Sequence, residues 1–401
     1  MKEHWPLLCL ALISLAMHLS IADYPESCVC DECYYIPQAV SIIHERGPQV
    51  LEADPTFLDH PCLAKLLVAG GIAAFGDNPW GWRIPSIIFS VASVGIFYSI
   101  CKNLAGRQTA SFASLLLVFE NFTFSWSGLA MLDVFSLTFM LSSFLLFLHK
   151  RYFLSGTALA LAGLCKLPGL FGIIVILGYW AFDKKRTSVR NIAGLVFSLV
   201  VVFLLLMPVC DFAATSQWFN PADRISGMLT KAASLKYSDV PPEVRLESGM
   251  AYPWQWILSP GNWAESDGKK ISLGFTPMFF PLILPSVIYM AYEAITKMRR
   301  WAVFGVLWFG ATYVVWIPVA LVTDRAMYPF YFLPTVGAIC MGIGAGIRSL
   351  WQMSKKKDGR HVRWLLKGIV LSYLILYLLT FFAISTFGRG TAVVSSSPPP
   401  P

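Results

Sequence analysis

The chain has 401 residues, of which 56% are hydrophobic and only 13% are charged. Soluble globular proteins carry about 25% charged residues, so this composition excludes a soluble fold built around a single core. The net charge is +8, but the basic residues form short clusters between long apolar runs, as in the cytoplasmic loops of membrane proteins. The composition therefore predicts a multi-pass integral membrane protein, and nucleic acid is not an expected partner.

Eleven apolar runs are candidates for transmembrane helices, which need about 20 mostly apolar residues. In chain order they are residues 5–22, 84–101, 108–127, 131–148, 152–165, 168–182, 191–210, 273–293, 301–321, 329–350 and 364–387. Basic clusters occur at alternate connections, and the excess of Lys and Arg in cytoplasmic loops assigns those connections to the cytoplasm. The N-terminus is then cytoplasmic, and the two longest loops, residues 23–83 and 211–272, are external. We predict an all-α polytopic membrane protein with about 11 transmembrane helices.

The two ends of the chain need separate interpretations. The first run follows Lys2 and ends in small residues near Ala22, so it fits either a cleaved signal peptide or a retained helix. Residues 388–401 are mostly small side chains and proline, a composition that cannot build a core and predicts a disordered tail. Residues 1–387 are predicted to form a single transmembrane domain.

The first external loop, residues 23–83, carries the densest set of polar residues in the chain. Two periodic stretches in it, one ending near Arg46 and the other at Gly76, are too short to span a bilayer. They predict amphipathic helices that lie on the membrane surface.

Adjacent carboxylates, Asp31 and Glu32, follow the first apolar run directly. At the lipid–water boundary, burial and a neighbouring carboxylate both raise proton affinity, which suits a general base; a solvated acidic pair is the alternative. The cations Lys65 and Arg83 lie on the same predicted surface, where a lipid-linked phosphate would lie. Ordinary contact with phospholipid headgroups is their alternative interpretation.

Three further charged residues, Glu120, Asp133 and Lys166, fall inside or at the edge of apolar runs. Charges at membrane depth are costly and usually face a polar cavity or each other. In the predicted orientation all three lie towards the external face. Their convergence favours a site at the outer boundary over a transport path, which would scatter charges through the bilayer centre. For Glu120 a paired structural charge is an equal alternative.

Four cysteines, Cys28, Cys30, Cys33 and Cys62, share the first external loop. Zinc sites commonly repeat a Cys-x-x-Cys pair, and this spacing occurs only once here, between Cys30 and Cys33. An external location favours one or two disulfides that clamp the two surface helices. Free thiols and a metal site remain as alternatives.

Six motifs follow one another along the chain in a characteristic order. They are Asp31-Glu32-x-Tyr34-Tyr35, Asp59-His60-Pro61-x-Leu63-Ala64-Lys65, Gly76-Asp77-Asn78-Pro79-x-Gly81-x-Arg83, Leu132-Asp133, Cys165-Lys166-x-x-Gly169-Leu170-Phe171 and Tyr328-Pro329-Phe330-Tyr331-Phe332-Leu333-Pro334. In this order and spacing they resemble the dolichyl-phosphate-mannose protein O-mannosyltransferases and their prokaryotic relatives, which have the GT-C architecture. The second external loop is too short for the β-trefoil repeats of the eukaryotic enzymes, so the chain resembles a compact archaeal or bacterial member.

The resemblance implies a glycosyltransferase that moves a sugar, mannose above all, from a polyprenyl phosphate to a Ser or Thr hydroxyl of a protein, with inversion. Asp31 then corresponds to the catalytic base, with Glu32 in support. The donor phosphate is expected near Lys65, Arg83 and His60, although Cys62 replaces a proline of the family motif beside His60. Residues expected to organise the site are Asp59, Asp133, Lys166 and Tyr331.

The implied chemistry needs cations that hold the departing phosphate and a base for the incoming hydroxyl. A polyprenyl phosphate is already a good leaving group, so no metal or other cofactor is expected. The expected partners are membrane lipids, the polyprenyl-phosphate sugar and an acceptor protein or glycolipid. The segment Tyr252-Pro253-Trp254-Gln255-Trp256 either packs over the mouth of the site or contacts the acceptor, or it anchors the loop at the membrane interface.

Two other functions remain open. One uses the same donor chemistry with a lipid or a lipid-linked glycan as the acceptor. The other is a transporter or flippase for a lipid-linked sugar, which would show charges at the bilayer midplane and inverted repeats; neither is evident in the sequence. The resemblance favours a retained first helix, and the compact size favours a plasma membrane with the site on its external face.

Overall fold

The structure is a computed structural model that describes residues 5–44, 50, 51, 54, 56–183, 187–258, 263–266, 269–356 and 360–386. The predicted tail, residues 388–401, lies outside the described residues, as does Arg46. The α-helices are α1 (Trp5–Leu19), α2 (Glu32–His44), α3 (Leu63–Phe75), α4 (Pro79–Ala105), α5 (Arg107–Val118), α6 (Asn121–Gly128), α7 (Leu132–Leu148), α8 (Tyr152–Cys165), α9 (Gly172–Phe182), α10 (Val189–Thr215), α11 (Pro221–Ser234), α12 (Pro242–Ser248), α13 (Pro253–Trp256), α14 (Ile283–Lys297), α15 (Arg300–Phe309), α16 (Trp316–Thr323), α17 (Leu333–Lys356) and α18 (Arg360–Ile384).

Short elements connect some of these helices. Antiparallel strands β1 (Trp263–Ser266) and β2 (Lys269–Ser272) form a hairpin in the second external loop. Three turns of 3₁₀ helix and one π-helical turn complete the described elements; they are Leu167–Phe171, Phe280–Leu282, Pro329–Phe332 and the π-turn Gly310–Val314. The all-α fold class is confirmed, and the predicted surface stretches of the first loop form helices α2 and α3.

The predicted count of eleven spans is not confirmed. Within the described residues, five helical segments are long and apolar enough to cross a bilayer. A sixth is added if α6 and α7, which meet at a bend of 111°, form one broken span. The five are α4, α10, the continuous α15–α16 segment, α17 with its preceding 3₁₀ turn, and α18.

The run at residues 108–127 breaks because a carboxylate caps a new helix inside it. Glu120 precedes α6, and its Oε2 accepts a hydrogen bond from Thr123 N at 2.7 Å, while Oε1 accepts from Thr276 N at 3.1 Å. Side-chain caps of this kind satisfy backbone groups at a helix start. Glu120 therefore has a structural role as a helix cap.

The run at residues 273–293 becomes α-helical only at Ile283, after the 3₁₀ turn Phe280–Leu282. The backbone at residues 272–274 is not helical, and its carbonyl groups accept hydrogen bonds from side chains of α6. Asn121 Nδ2 donates to Gly274 O at 2.8 Å, Ser125 Oγ to Ser272 O at 2.9 Å and Trp126 Nε1 to Leu273 O at 3.1 Å. Backbone groups at membrane depth must be satisfied in this way when they leave a helix.

Helix α4 begins with a strong local signal. Asn78 accepts hydrogen bonds from Trp80 N at 3.0 Å and Gly81 N at 3.2 Å, and Pro79 occupies the first helical position. Gly81 faces the carbonyl oxygen of Gly76 so closely that a Cβ atom at this position would collide with it. The turn from α3 into α4 therefore depends on a glycine at this position and on an amide cap.

Asn78→Ala is expected to lower the free energy of unfolding by about 1 kcal/mol, because it removes the acceptor for two helix N–H groups. The measurement is thermal or denaturant unfolding of the purified protein in detergent. Asn78→Asp is the matched control, since aspartate caps as well as asparagine does. Equal losses in the two variants would contradict the capping role.

The basic connections meet at one end of the bundle. Arg348 Nη1 donates to Ala105 O at 2.9 Å, and Arg300 Nε donates to Tyr179 Oη at 2.9 Å. The first external loop, the start of α7 and the second external loop meet at the opposite end, where Ala130 N donates to Glu32 Oε1 at 2.6 Å. These two basic contacts thus lie at the other end of the bundle from the two long loops.

A disulfide joins Cys28 and Cys33. It closes a short ring within one loop, so the prediction that disulfides clamp the two surface helices is wrong. Cys30 is an exposed free thiol and Cys62 a buried one. Within the described part of the chain, no three or more His, Cys, Asp or Glu side chains are grouped so that they could hold a metal ion.

Candidate functional site

The two adjacent carboxylates of the first loop have different environments. Glu32 is fully buried at the start of α2 and forms an ion pair with Arg83 of α4, with 2.9 Å between Oε2 and Nη2. Its oxygens also accept hydrogen bonds from Val29 N at 3.1 Å and Ala130 N at 2.6 Å. With both oxygens occupied, Glu32 ties three segments together and is not placed to take a proton from a substrate.

Arg83 has no donor left for a phosphate. Besides two bonds to Glu32, its guanidinium donates to the carbonyl oxygens of Ala22, Pro25 and Ser27 at 3.2, 2.8 and 3.2 Å. These contacts use all five N–H groups of the arginine, and only 1% of the residue is exposed. The prediction that Arg83 binds the donor phosphate is therefore corrected to a structural role.

Asp31 lies one residue earlier and is only half-buried. Its Oδ2 accepts a hydrogen bond from Tyr35 Oη at 3.3 Å. Burial raises the pKa of Asp31, and the charge of Asp133 raises it further, against the opposing effect of Lys166. Asp31 is thus a carboxylate near two charged groups, with an increased proton affinity and access from the surface.

Next to Asp31 is a buried ion pair where two helices, α7 and α8, come together. Lys166, at the end of α8, contacts Asp133 in the first turn of α7 with 2.7 Å between Nζ and Oδ2. The ammonium also lies over the rings of Phe330 and Tyr331, at 4.7 and 5.1 Å from their centres. The structure therefore brings together four residues that the sequence proposed for one site, Asp31, Asp133, Lys166 and Tyr331.

Three cations act on the electrostatics of His60. Burial holds the pKa of His60 well below its usual range, and the charges of Lys166, Lys65 and Arg325 lower it further. The imidazole is therefore neutral at pH 7, and its ring meets Tyr35 edge-on at 6.1 Å. Cations from three separate parts of the chain make this position favourable for an anion. His60 is placed here although Cys62 replaces the proline of the family motif.

Lys65 supplies its charge from below the surface. Only 1% of the residue is exposed, and its ammonium donates to the carbonyl oxygen of Phe57 and lies 4.6 Å from the centre of that ring. Asp59 is half-buried above it, and burial raises the pKa of this carboxyl. Lys65 thus contributes to the local positive potential although its ammonium group is not exposed.

An ion pair that the sequence did not predict fixes the loop before His60. Arg224 of α11 contacts the buried Asp211 at the end of α10, with 2.8 Å between Nε and Oδ2. The same guanidinium donates to Leu58 O at 2.7 Å and to His60 O at 3.4 Å. The charged Asp211 directly after an apolar run was the only signal of this pair in the sequence.

Arg325 is a further site residue that the sequence did not predict. Its Nη2 donates to Tyr331 Oη at 3.4 Å, and its buried Nε has no hydrogen-bond partner among the described residues. The second external loop positions it by short backbone pairing, in which Ala326 N donates to Leu235 O at 2.7 Å. Its place in a short external connection just before the Tyr328 motif was the available signal.

A small cavity lies beside Asp133 and Tyr331. Trp316 stacks on Tyr331 with 4.9 Å between ring centres, and Trp256 meets Tyr331 edge-on at 6.2 Å. Trp256 is buried, so the aromatic segment of the second loop packs against this wall, in agreement with the first interpretation of that segment. The remaining lining residues are Pro168, Phe171, Thr312 and Pro334.

The arrangement suits a transfer reaction. A surface-accessible carboxylate of increased proton affinity can remove the proton of a hydroxyl. Lys166, Arg325 and Lys65 can stabilise an anion that forms close by. An aromatic pocket with one carboxylate on its wall matches the usual composition of a small-molecule site.

Comparison with protein families agrees with this description. Residues 59–211 match the family described as dolichyl-phosphate-mannose-protein mannosyltransferase. A polyprenol-phosphate-mannose–protein mannosyltransferase of Corynebacterium glutamicum is 23% identical over 96% of this chain and 89% of its own length. The enzyme of the same name from Mycobacterium tuberculosis is 23% identical over 83% of this chain and 78% of its own length.

Solved structures show the same fold. The S. cerevisiae protein O-mannosyltransferase Pmt1-Pmt2 complex bound to the sugar donor matches 97% of this chain and 90% of the compared chain, with a TM-score of 0.74 and 12% identity. ArnT from Cupriavidus metallidurans bound to undecaprenyl phosphate matches 97% of this chain and 77% of its own, with a TM-score of 0.63 and 14% identity. The GT-C architecture and the resemblance stated from the motifs are confirmed.

Proposed function

Because the chain is a GT-C membrane protein related to the polyprenol-phosphate-mannose protein mannosyltransferases, we propose that it transfers mannose from a polyprenyl phosphate to a Ser or Thr hydroxyl of a protein. The observation that carries the proposal is Asp31 beside the Lys166–Asp133 pair, with the aromatic pocket next to it. The charge pattern supports a cytoplasmic N-terminus and a site on the external face, and the compact size of the chain supports a plasma membrane.

The donor phosphate is placed beside His60, between Arg325 and Lys166. Arg325 offers a buried N–H group that no described residue accepts, and charge-assisted hydrogen bonds from arginine suit phosphate oxygens. Lys65 adds charge beneath the loop. These cations stabilise the departing phosphate, so the reaction needs neither a general acid nor a metal or other cofactor.

We place the sugar against the aromatic wall that Trp316 and Tyr331 form beside this small cavity. The aromatic rings offer flat apolar surfaces to the C–H groups of a hexose, and Asp133 offers carboxylate oxygens to its hydroxyls. A few polar groups within apolar walls fix orientation in such pockets. The anomeric carbon would then face Asp31.

The acceptor hydroxyl is placed next to Asp31. As its oxygen bonds to the anomeric carbon, the bond from that carbon to the phosphate oxygen breaks on the opposite face, and the proton passes to the Asp31 carboxylate. Displacement from the opposite face inverts the anomeric centre through a state like that of inverting glycosidases. The increased proton affinity of Asp31 supports its role as the base.

The test is transfer by the purified protein in liposomes that contain polyprenyl-phosphate mannose, with a Ser/Thr peptide as acceptor. We expect mannosylated peptide whose anomeric configuration, read by NMR, is inverted relative to the donor. Arg325→Gln is expected to raise the KM for the donor by about tenfold, since a charge-assisted hydrogen bond contributes about 1.5–3 kcal/mol. Arg190→Gln, at an exposed position on the basic end, is the control.

Each other outcome identifies a different error. Mannose that appears on a lipid or a lipid-linked glycan, with none on peptide, would replace the acceptor class and keep the donor chemistry. Donor that crosses the liposome membrane without hydrolysis or transfer would replace the enzyme with a flippase. Absence of donor binding would overturn the proposal as a whole.

A further inference from the structure

A groove lies between α14, α17 and α18. It has a volume of about 340 Å³, and the atoms that face it are apolar. Residues from all three helices line it, among them Leu282, Tyr289, Gly346, Leu350, Ile369 and Tyr373. An apolar groove among membrane helices is accessible to lipid chains.

Two glycines, which have no side chain, leave space for this groove between the helices. Gly342 and Gly346 lie one helical turn apart on α17 and both line it. A Cβ atom added at Gly346 would meet only the Tyr289 ring, at 4.0 Å. A larger side chain at Gly346 would therefore fill the space between α17 and α14 without colliding with backbone.

The groove lies between the middle of the bundle and its basic end, away from the candidate site. Gly342 precedes the end of α17 at Lys356 by 14 residues, and Tyr373 follows the start of α18 at Arg360 by 13 residues. At a rise of 1.5 Å per residue, these two lining residues lie about 20 Å from the basic end of the bundle. A chain in this groove thus belongs to lipids of the leaflet at that end.

Cations mark the end of the groove. Arg363 and Lys367 precede the lining residue Val370 by seven and three residues, so all three lie on one face of α18. On α14, Lys297 lies two turns beyond Tyr289 and shares Glu293 with Arg299. Two cations on one carboxylate leave a positive charge in excess, in addition to those of Arg363 and Lys367.

We infer that this groove binds an anionic phospholipid of the bilayer, with an acyl chain along α17 and the phosphate between Lys297, Arg363 and Lys367. Basic pockets between membrane helices recognise anionic headgroups in this way. A second copy of the chain is disfavoured, because a symmetric dimer would bring two like-charged clusters together. The donor chain is disfavoured because the groove and the candidate site lie at opposite ends.

Native mass spectrometry of the full-length protein in a mild detergent tests the inference, with phosphatidylglycerol and phosphatidylcholine of identical acyl chains as probes. We expect the wild-type protein to retain phosphatidylglycerol more tightly. Arg363→Gln with Lys367→Gln is expected to weaken that binding by about fivefold per charge, at about 1 kcal/mol each. Arg151→Gln with Arg190→Gln, two exposed cations at the same end, is the control and should change nothing.

The groove itself is tested by Gly346→Leu, which is expected to reduce binding of both lipids, whereas Gly346→Ala should bind as the wild-type protein does. If Gly346→Leu fails to fold, the paired charge variants still decide the outcome. Equal affinity of the wild-type protein for the two lipids would overturn the inference. Displacement of phosphatidylglycerol by a polyprenyl phosphate would assign the groove to the donor instead, and a dimer that Gly346→Leu abolishes would assign it to a second copy.

Discussion

Asp31→Asn is expected to lower kcat for sugar transfer by about 10²–10⁴-fold, the range that a general base contributes. Asparagine keeps the size and the hydrogen bond from Tyr35 but cannot take the proton of the acceptor hydroxyl. Donor binding should persist, because the proposed phosphate cations Arg325 and Lys166 are unchanged. The measurements are single-turnover transfer and donor affinity in the same liposomes.

The pH profile of the wild-type protein gives an independent check. The base works only when Asp31 is ionised, so activity should fall as pH decreases through the pKa of this residue. Because burial raises that pKa, the decline should begin at a higher pH than for an ordinary carboxylate. Asp23→Asn makes the same chemical change at an exposed position on the same loop and is the control. An Asp31→Asn enzyme with wild-type kcat would refute the assignment.

Arg83→Met is expected to lower the free energy of unfolding by about 3–5 kcal/mol. Removing one partner of a buried ion pair leaves the other charge uncompensated, and here it also removes the donor for the carbonyl groups of Ala22, Pro25 and Ser27. Thermal and denaturant unfolding in detergent measure the effect. A low yield of folded protein would indicate a still larger loss of stability.

A double variant distinguishes a structural role of Arg83 from a role in donor binding. Glu32→Leu combined with Arg83→Met removes both charges and is expected to recover part of the lost stability, since a buried pair can often be replaced by apolar side chains. If Arg83→Met instead unfolds like the wild-type protein and raises only the KM for the donor, the phosphate-binding role of Arg83 would be restored and the structural role abandoned.

Much of the site could be predicted because its residues occur in ordered motifs beside apolar runs. Asp31, Asp133 and Lys166 each follow or begin such a run at the same predicted end, and the structure brings them together. Composition and charge pattern were also sufficient for the all-α membrane class. These features follow from local hydropathy and charge, which can be read directly from the sequence.

The predictions that were wrong concern which residues interact with one another in the fold. Arg83 and Glu32 are 51 positions apart, and nothing in either motif shows that one neutralises the other. Arg325 was missed because its position depends on backbone pairing with residue Lys236 of another loop. The predicted number of transmembrane helices was not confirmed, because a hydropathy window does not detect a carboxylate that starts a new helix, as Glu120 does.

The bend between α6 and α7 links two parts of the chain that would otherwise change independently. In an unbroken helix the N–H of Ala130 would bond to a carbonyl four residues earlier; the 111° bend releases it to Glu32. A free N–H at membrane depth costs several kcal/mol. Mutations that straighten this bend and mutations that remove the Glu32 carboxylate should therefore be tolerated together more readily than separately, a dependence that would leave paired substitutions at these two places among relatives of this chain.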